Sequence, residues 1–147
     1  NGFAGRASGI PSDLRADFGM APYGGHDFKK AVHRNGDVAA RVTVRFDEIA
    51  ESLRLIRLFT TELAPGEIVV PLEAVAETKL GAGWIEGWRG EVFVALESDG
   101  EKIRRCHCHD PSWQNWPVLE HAVIGNIVPD FPLINKSFNL SYAGPDL

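Results

Sequence analysis

The sequence lacks long apolar runs, clusters of basic residues and enough cysteines for a disulfide framework. No stretch reaches the roughly 18 apolar residues that a membrane-spanning helix requires, so we expect no transmembrane segment. The missing Lys/Arg run and a net charge of −5 argue against a nucleic-acid partner. The first residue is Asn1 and nothing resembles a signal peptide. We therefore interpret the chain as a piece of a longer polypeptide.

The two cysteines, Cys106 and Cys108, are too close in sequence for an unstrained disulfide. Two thiols without a disulfide framework suit a reducing compartment, which predicts a cytosolic location. Together with His107 and His109 they offer side chains that zinc and copper accept. Successive residues of a strand point to opposite faces, so these four cannot close one tetrahedral site. We expect the thiols to face the core and the imidazoles to face solvent.

The length predicts one domain over residues 1–147. Residues 37–45 alternate apolar and polar side chains, which predicts a half-buried strand. The next residues carry an apolar stripe with helical spacing, which predicts a helix that ends at Pro65-Gly66. The stripe consists of Phe46, Ile49, Leu53, Ile56, Phe59 and Leu63.

The second half of the sequence predicts a hairpin and a short helix. Residues 67–75 suggest a short strand, and residues 76–83 a loop. Residues 83–97 read as one long strand that returns, after a turn at Asp99-Gly100, as a strand over residues 102–109. A helix follows, with Asn115 as N-cap, Pro117 in its first turn and Gly125 as its stop. The Gly-rich opening segment is expected to cover other elements, with a helical turn at residues 12–17. The mixture of helices and strands predicts the α+β class, with a small, mostly antiparallel sheet.

The segment "EGWRGE" places Arg89 between Glu86 and Glu91 in a Gly-rich strand. Such a group could relay protons beside a cofactor, or it could be a structural ion pair at a bulge. The helical His121 and the four tryptophans are interpreted as structural, and Ser141 has no nucleophile motif. The residues alone therefore indicate no reaction.

Three segments in order resemble one known family: "GRASGIPSDLRADFGMAPY", "DVAARVTVRFDEIAESLRLIRLF" and "IEGWRGEVFVALESDGEKIRRCHCHDPSWQNWPVLEHAVIGNIVPDFPLINKSFN". They are similar to the C-terminal part of the large subunits of membrane-bound [NiFe]-hydrogenases of the formate hydrogenlyase type. The homologous 49-kDa subunit of NADH:quinone oxidoreductase, respiratory complex I, belongs to the same family. The most specific parts are "RASG" with the following Asp13-x-Arg15, "EGWRGE" followed by "SDG", and "PSWQNWP".

The resemblance implies that the C-terminal tail has lost metal ligands. In the hydrogenase branch this tail carries Asp-Pro-Cys-x-x-Cys, whose thiolates hold nickel and iron. Here Asn139 and Leu140 replace the Asp and Pro, while Ser141 and Gly144 replace the two cysteines. The resemblance therefore implies that the nickel–iron centre is lost and that this chain holds no cofactor. Ile124 also stands where hydrogenase-branch members often carry an arginine.

The resemblance further implies a subunit of a membrane-associated redox complex, peripheral to the inner membrane on the cytoplasmic side. Its partners would be membrane subunits and a small subunit with an iron–sulfur cluster. Glu86, Arg89 and Glu91 match the family's E-G-x-R-G-E strand and are the candidate relay at a quinone or redox-coupling cavity. The isolated chain would be inactive, with exposed apolar patches and self-association. The alternatives are a structural or assembly subunit with a collapsed cavity, and an active [NiFe]-hydrogenase, which needs thiolates that are not present.

Overall fold

The computed structural model describes residues 1–71 and 77–146, and it has the predicted α+β architecture. Its elements are helices α1 (Gly2–Ala7), α2 (Leu14–Asp17), α3 (Val38–Glu62), α4 (Ser112–Ala122) and α5 (Phe131–Phe138), and strands β1 (Lys79–Gly87), β2 (Gly90–Asp99) and β3 (Lys102–His109). Short 3₁₀ turns occupy Val128–Asp130 and Gly144–Asp146. Within the described ranges, no helix has both the length and the apolar character needed to cross a membrane.

The hydrophobic core lies between α1, α3, α4 and α5. All six residues of α1 are buried. The expectation that the opening segment merely covers other elements is therefore wrong, because its first helix lies within the core. Burying the Phe3 side chain contributes about 1.5–3 kcal/mol. The buried apolar residues of this core are Phe3, Ala4, Ala7, Ala40, Val44, Leu119, Ile134, Phe138 and Leu140.

Helix α3 covers residues for which the sequence predicted a strand and then a helix. The strand predicted for residues 37–45 is wrong, since the helix already begins at Val38. The Asp37 side chain caps its N-terminus by accepting a hydrogen bond from the Ala40 backbone N–H at 2.7 Å. Ala40 and Val44, four residues apart, share the buried face of the helix. The alternating residues 37–45 therefore also fit a helix, because Ala40 and Val44 are four residues apart.

The apolar stripe predicted for α3 faces outward. Phe46, Ile49, Leu53 and Ile56 are each more than half exposed. The buried face of the helix consists instead of Ala40, Arg41, Val44 and Leu55. A contiguous exposed apolar surface of this kind is typical of an interaction surface. Self-association through it stays a prediction.

Strands β1, β2 and β3 form one antiparallel sheet in that order. The long strand predicted for residues 83–97 is instead two strands, because the chain reverses at Trp88 and Arg89. Gly90 permits this turn with φ of 137°, a conformation that residues with a Cβ rarely adopt. Strand β1 begins at Lys79, where we expected a loop, whereas the turn at Gly100 is confirmed. Residues 67–71 form no strand, and residues 72–76 of that predicted strand lie outside the described residues.

Helix α4 begins earlier than predicted. It starts at Ser112, so Asn115 is a buried interior residue rather than the N-cap, and Pro117 also lies inside the helix. The Asn115 side chain instead donates a hydrogen bond to the Arg89 carbonyl at 3.1 Å, which holds the β1–β2 turn against α4. The helix ends three residues before Gly125, the predicted stop. Helix α5 lies in a segment whose sequence showed no clear period.

We expect Asp37→Ala to lower the free energy of unfolding of the chain by about 1 kcal/mol, the usual cost of losing an N-cap side chain. The physical reason is the loss of the acceptor for the Ala40 N–H. Urea unfolding followed by circular dichroism measures the change. Asp27→Ala makes the same substitution at an exposed residue outside the helices and should change the value by less than about 0.5 kcal/mol. Equal losses in the two variants would contradict the capping role.

Candidate functional site

The Arg6 side chain is a fully buried charge, with 1% of its surface exposed. Its Nε donates to Glu48 Oε1 at 2.8 Å, and its Nη1 donates to Glu86 Oε1 at 3.0 Å. Nη1 also donates to the Ser12 carbonyl at 3.0 Å. Arg6 Nη2 lies 2.6 Å from Glu48 Oε1, an ion-pair contact that is not directed as a hydrogen bond. Arg6 therefore joins α1 to α3, to β1 and to the chain before α2.

Asp13 and Arg15 complete this group of charges. The Asp13 carboxylate is 1% exposed and lies 3.4 Å from Arg6 Nη1. Arg15 pairs with it through two hydrogen bonds, Nε to Oδ1 at 2.9 Å and Nη2 to Oδ2 at 2.7 Å. We name Arg6, Asp13, Arg15, Glu48 and Glu86 the acid–arginine cluster. It contains two arginines and three carboxylates, so one carboxylate is in excess.

The Glu48 carboxyl of the acid–arginine cluster holds a proton more readily than an exposed glutamate does. Desolvation by burial raises the pKa of Glu48 above its usual range. The nearby charges of Arg6 and Arg15 act in the opposite direction but do not cancel the rise. A carboxyl with a raised pKa can bind and release protons closer to neutral pH than an exposed one.

A cleft of about 460 Å³ opens beside the acid–arginine cluster. Its charged wall includes Arg6, Glu48 and Glu86, and its apolar wall includes Ile49, Leu53 and Trp88; the remaining lining residues are Arg15, Arg45, Ser52 and Gly87. The volume lies in the range typical of small-molecule sites, and the mixture of apolar walls with a few charged groups is also typical.

Arg45 organises the aromatic side of the cleft. The rings of Phe3 and Trp88 stack with centroids 5.3 Å apart. The Arg45 guanidinium lies 4.4 Å from the Phe3 centroid and 4.8 Å from that of Trp88, so it contacts both by cation–π interaction. Its Nε is buried and has no hydrogen-bond partner among the described residues. Burial lowers the pKa of Arg45. Arg45, which lines the cleft, thus carries a buried donor without a partner in the described part of the chain.

The predicted relay residues do not form the arrangement expected for them. Glu86 and Glu91 are direct cross-strand partners, so both carboxylates share one face of the sheet. Both line a small cavity of about 30 Å³, enough for a single water molecule. Arg89 does not lie between them, since its Nη2 is 3.7 Å from Asp110 Oδ2 and its Nη1 donates to the Asn139 carbonyl at 3.4 Å. The guanidinium that Glu86 binds is that of Arg6.

Arg89 and Asp110 instead meet the degenerate tail, together with Ser112, Ser141 and Gly144; we name these five residues the tail corner. The Ser141 N–H donates to Ser112 Oγ, and the Gly144 N–H donates to Ser141 Oγ, both at 3.0 Å. A Cβ at Gly144 would lie 2.8 Å from Cβ and Cγ of Asp110. A cysteine would not fit at position 144 without displacing Asp110, and the serine hydroxyl is already engaged. These residues do not fit the thiolate pair of a nickel–iron centre.

The other sequence candidates lie apart from the cleft. Cys106 and Cys108 are exposed rather than facing the core, with their sulfur atoms 3.8 Å apart. Residues 1–71 and 77–146 contain no group of three or more His, Cys, Asp and Glu side chains that could hold a metal ion. His121 is exposed on α4. Of the tryptophans, Trp84, Trp88 and Trp113 are 42–49% exposed and lie outside the core, whereas Trp116 packs against it.

Comparison with known proteins decides the family. The family model described as "Respiratory-chain NADH dehydrogenase, 49 Kd subunit" matches residues 1–81, more than half of the chain. The chain belongs to this 49-kDa subunit family. It is 30% identical over 142 residues to formate hydrogenlyase subunit 5 of Escherichia coli (strain K12), covering 96% of this chain and 25% of that protein. It is 34% identical over 140 residues to an NADH-quinone oxidoreductase subunit of Clostridium beijerinckii, covering 91% of this chain and 37% of that protein.

A solved structure shows the same fold. The membrane-bound sulfane sulfur reductase, described as an archaeal respiratory membrane complex, contains a chain that superposes with a TM-score of 0.87 at 26% identity. The match covers all of this chain and 42% of that one. The chain thus spans between a quarter and about two fifths of the length of these relatives. The family resemblance seen in the sequence, with its hydrogenase and NADH–quinone oxidoreductase branches, is confirmed.

We expect Glu48→Gln to gain stability relative to the unsubstituted chain as the pH rises through the carboxylate range. The folded-state pKa of Glu48 is raised, so its contribution to the free energy of unfolding is fully present below the unfolded pKa of about 4.3. That contribution is lost as the pH rises through the folded pKa. Glutamine does not titrate and keeps a constant contribution. Urea unfolding of both proteins across a series of pH values measures the difference.

Asp110→Asn is the matched control with the opposite sign. Desolvation alone would raise the pKa of Asp110, but hydrogen bonds from Ser112 and the charge of Arg89 outweigh it, so the pKa is lowered. The stabilising contribution of Asp110 is present above its unfolded pKa and lost as the pH falls through the folded pKa. The asparagine variant should be less stable at neutral pH and approach the unsubstituted chain in acid. Parallel pH dependences of the two variants would contradict both assignments.

Proposed function

We propose that this chain forms part of a quinone or other redox-coupling cavity in a membrane-associated oxidoreductase complex. The electron donor would be an iron–sulfur cluster in a small subunit, and membrane subunits would be further partners. The complex would place the chain peripherally, on the cytoplasmic side of the inner membrane. The family membership supports this assignment, because relatives include a subunit of NADH-quinone oxidoreductase and hydrogenase components.

The observation that carries the proposal is a buried group of charges with one excess carboxylate at the wall of an apolar cleft. Desolvating several charges is costly, so such clusters persist where ion pairing or function compensates for it. The cleft volume of about 460 Å³ accommodates a small ring compound. The Trp88 ring offers an apolar face, and the Arg45 guanidinium places a positive charge at the wall of the cleft.

Quinone reduction takes up two electrons and two protons, and the residues of this chain supply proton-binding groups. Glu48, with its raised pKa, would hold a proton at the cleft and donate it to the oxygen of a reduced quinone. Glu86 accepts hydrogen bonds from Arg6 and from the Leu14 N–H, which fixes its carboxylate. Glu91 shares a small cavity with Glu86, so a water molecule there would connect the two carboxylates. The candidate relay thus consists of Glu48, Glu86 and Glu91, with Arg89 outside it.

We further propose that the subunit assembles no nickel–iron centre. The hydrogenase-branch tail supplies two thiolates, whereas this tail supplies the Ser141 hydroxyl and a glycine. Soft thiolate sulfur is the donor that such low-valent metals require, and a protonated hydroxyl is a hard, weak replacement. The Asp110 side chain occupies the space that a side chain at Gly144 would need, which supports the loss of the ligand.

We expect the complex purified with the complete large subunit and its small subunit to contain iron at cluster stoichiometry and no nickel. Elemental analysis by inductively coupled plasma mass spectrometry measures both metals in one sample. Nickel at one atom per complex would overturn the metal-free proposal. That result would favour the alternative of an active [NiFe]-hydrogenase whose ligands come from residues other than Ser141 and Gly144.

We expect Trp88→Ala in the complete complex to raise KM for the quinone by about 10-fold, equivalent to about 1.4 kcal/mol. The physical reason is the loss of an aromatic face in the cleft. Steady-state quinone reduction measures KM and kcat separately. Trp113→Ala is the matched control, because Trp113 has a similar exposure, 49% against 46% for Trp88, but does not line the cleft.

An unchanged KM in the Trp88 variant, or equal effects in both variants, would contradict binding in the cleft. If the complex still assembled, that result would favour the structural or assembly role. Size-exclusion chromatography of the complex containing each variant separates a failure to assemble from a failure to bind.

A further inference from the structure

Cys106 and Cys108 form an exposed pair of thiols on one face of β3. The Cα atoms of residues two apart on a strand are separated by about 6.6 Å, yet the two sulfur atoms are only 3.8 Å apart. The side chains therefore lean toward one another. Both cysteines are exposed, and they are the chain's only two. The sequence predicted thiols that face the core, whereas the structure places both on the surface.

The surface around the pair is apolar and open. Along the β2–β3 ladder, Cys106 is paired with Leu96 and Cys108 with Val94. On the other side of β2, Leu96 is paired with Gly81 of β1 and Val94 with Gly83. A methyl group placed at either glycine would meet no atom within 4 Å. Strand β3 is also an edge of the sheet. The side of the pair that faces β1 is therefore open.

The two thiols also contact each other. The hydrogen bond with Cys108 raises the pKa of Cys106 above its usual range, so the Cys106 thiol keeps its proton at neutral pH. A soft electrophile that binds both sulfur atoms displaces the protons and removes this interaction.

We propose that Cys106 and Cys108 form a two-thiol binding site for a soft, thiophilic ion, of which trivalent arsenic is the best fit. The two sulfur atoms are already in contact at 3.8 Å, so one atom with bonds to sulfur of about 2.3 Å can reach both. Soft ions prefer sulfur over oxygen ligands. Zinc needs four ligands, and the described residues offer no third ligand here. An arsenical that carries its own organic substituent needs only two thiols.

The binding step is balanced without an oxidant or a reductant. An organic arsenic(III) oxide reacts with the two thiols to form two arsenic–sulfur bonds. Its oxygen leaves as water with the two thiol protons. Arsenic stays trivalent and both sulfurs keep their oxidation state. The two protein thiols act as one chelating ligand, so the second bond forms at high effective concentration.

The test uses phenylarsine oxide and the reduced full chain. We expect intact-protein mass spectrometry to show one phenylarsenic group per chain with the loss of two thiol hydrogens, and a thiol assay to fall from two to zero. The adduct should resist an excess of a monothiol such as glutathione and be removed by a dithiol such as dithiothreitol. Removal by the monothiol, or two phenylarsenic groups per chain, would overturn the proposal. So would an oxidised chain without arsenic.

The matched control is the double variant His107→Cys/Cys108→Ser, which keeps two thiols but places them on opposite faces of β3. We expect it to bind phenylarsine oxide about 100-fold more weakly, the lower end of the gain from chelation. Cys106→Ser, with one thiol, should behave in the same way. Circular dichroism confirms that each variant is folded. Equal retention of arsenic by the double variant would contradict a site defined by the 3.8 Å pair.

Discussion

The buried guanidinium of Arg6 is the interaction on which the rest of the structure depends. Removing such a charge from water costs several kcal/mol, and only well-placed carboxylates offset that cost. Glu48 of α3 and Glu86 of β1 supply them at 2.8 and 3.0 Å, and Asp13 lies 3.4 Å away. Helix α1 therefore occupies the core, α3 passes beside it, and the sheet is attached through the end of β1. Loss of Glu48 would leave the buried Arg6 Nε without its acceptor.

The β1–β2 turn separates the acid–arginine cluster from the tail corner, although the residues that enter them are neighbours in the segment "EGWRGE". Glu86, at one end of the turn, enters the acid–arginine cluster, whereas Arg89 turns toward Asp110 and the tail corner. Asn115 fixes the turn from the other side through the Arg89 carbonyl. Gly2 allows α1 to pass against the turn, because a Cβ there would lie 2.2 Å from Arg89 backbone atoms. The cleft and the degenerate metal-ligand positions are thus neighbours held by a single hairpin.

The sequence alone predicted the fold class, the second half of α3 and the β2–β3 hairpin, while the role assigned to Glu86 stays a prediction. It misassigned residues 37–45, because valine and alanine in alternation fit a strand as well as the spacing of Ala40 and Val44 fits a helix. Asp37, which caps the N-terminus of α3, was the signal that could have favoured the helix over the strand. Arg6 and Glu48 were missed because their contacts bridge 42 and 80 residues of sequence, which no local pattern encodes. The resemblance to known sequences identified the family, which the periodicity of apolar residues could not do.

The proposed coupling depends on excluding water from the cleft. A unit charge 4 Å from the Glu48 carboxyl changes its ionisation by about 4 kcal/mol at an effective dielectric constant of 20, but by only about 1 kcal/mol in bulk water. An electron arriving in the cleft would therefore draw in a proton only if the site is covered. Ile49 and Leu53 line the cleft and also belong to the exposed stripe of α3. A segment packed on that stripe would close the cleft, bury apolar surface and strengthen the coupling at the same time. The exposed stripe and the buried acid–arginine cluster would then be two parts of one redox-coupling site.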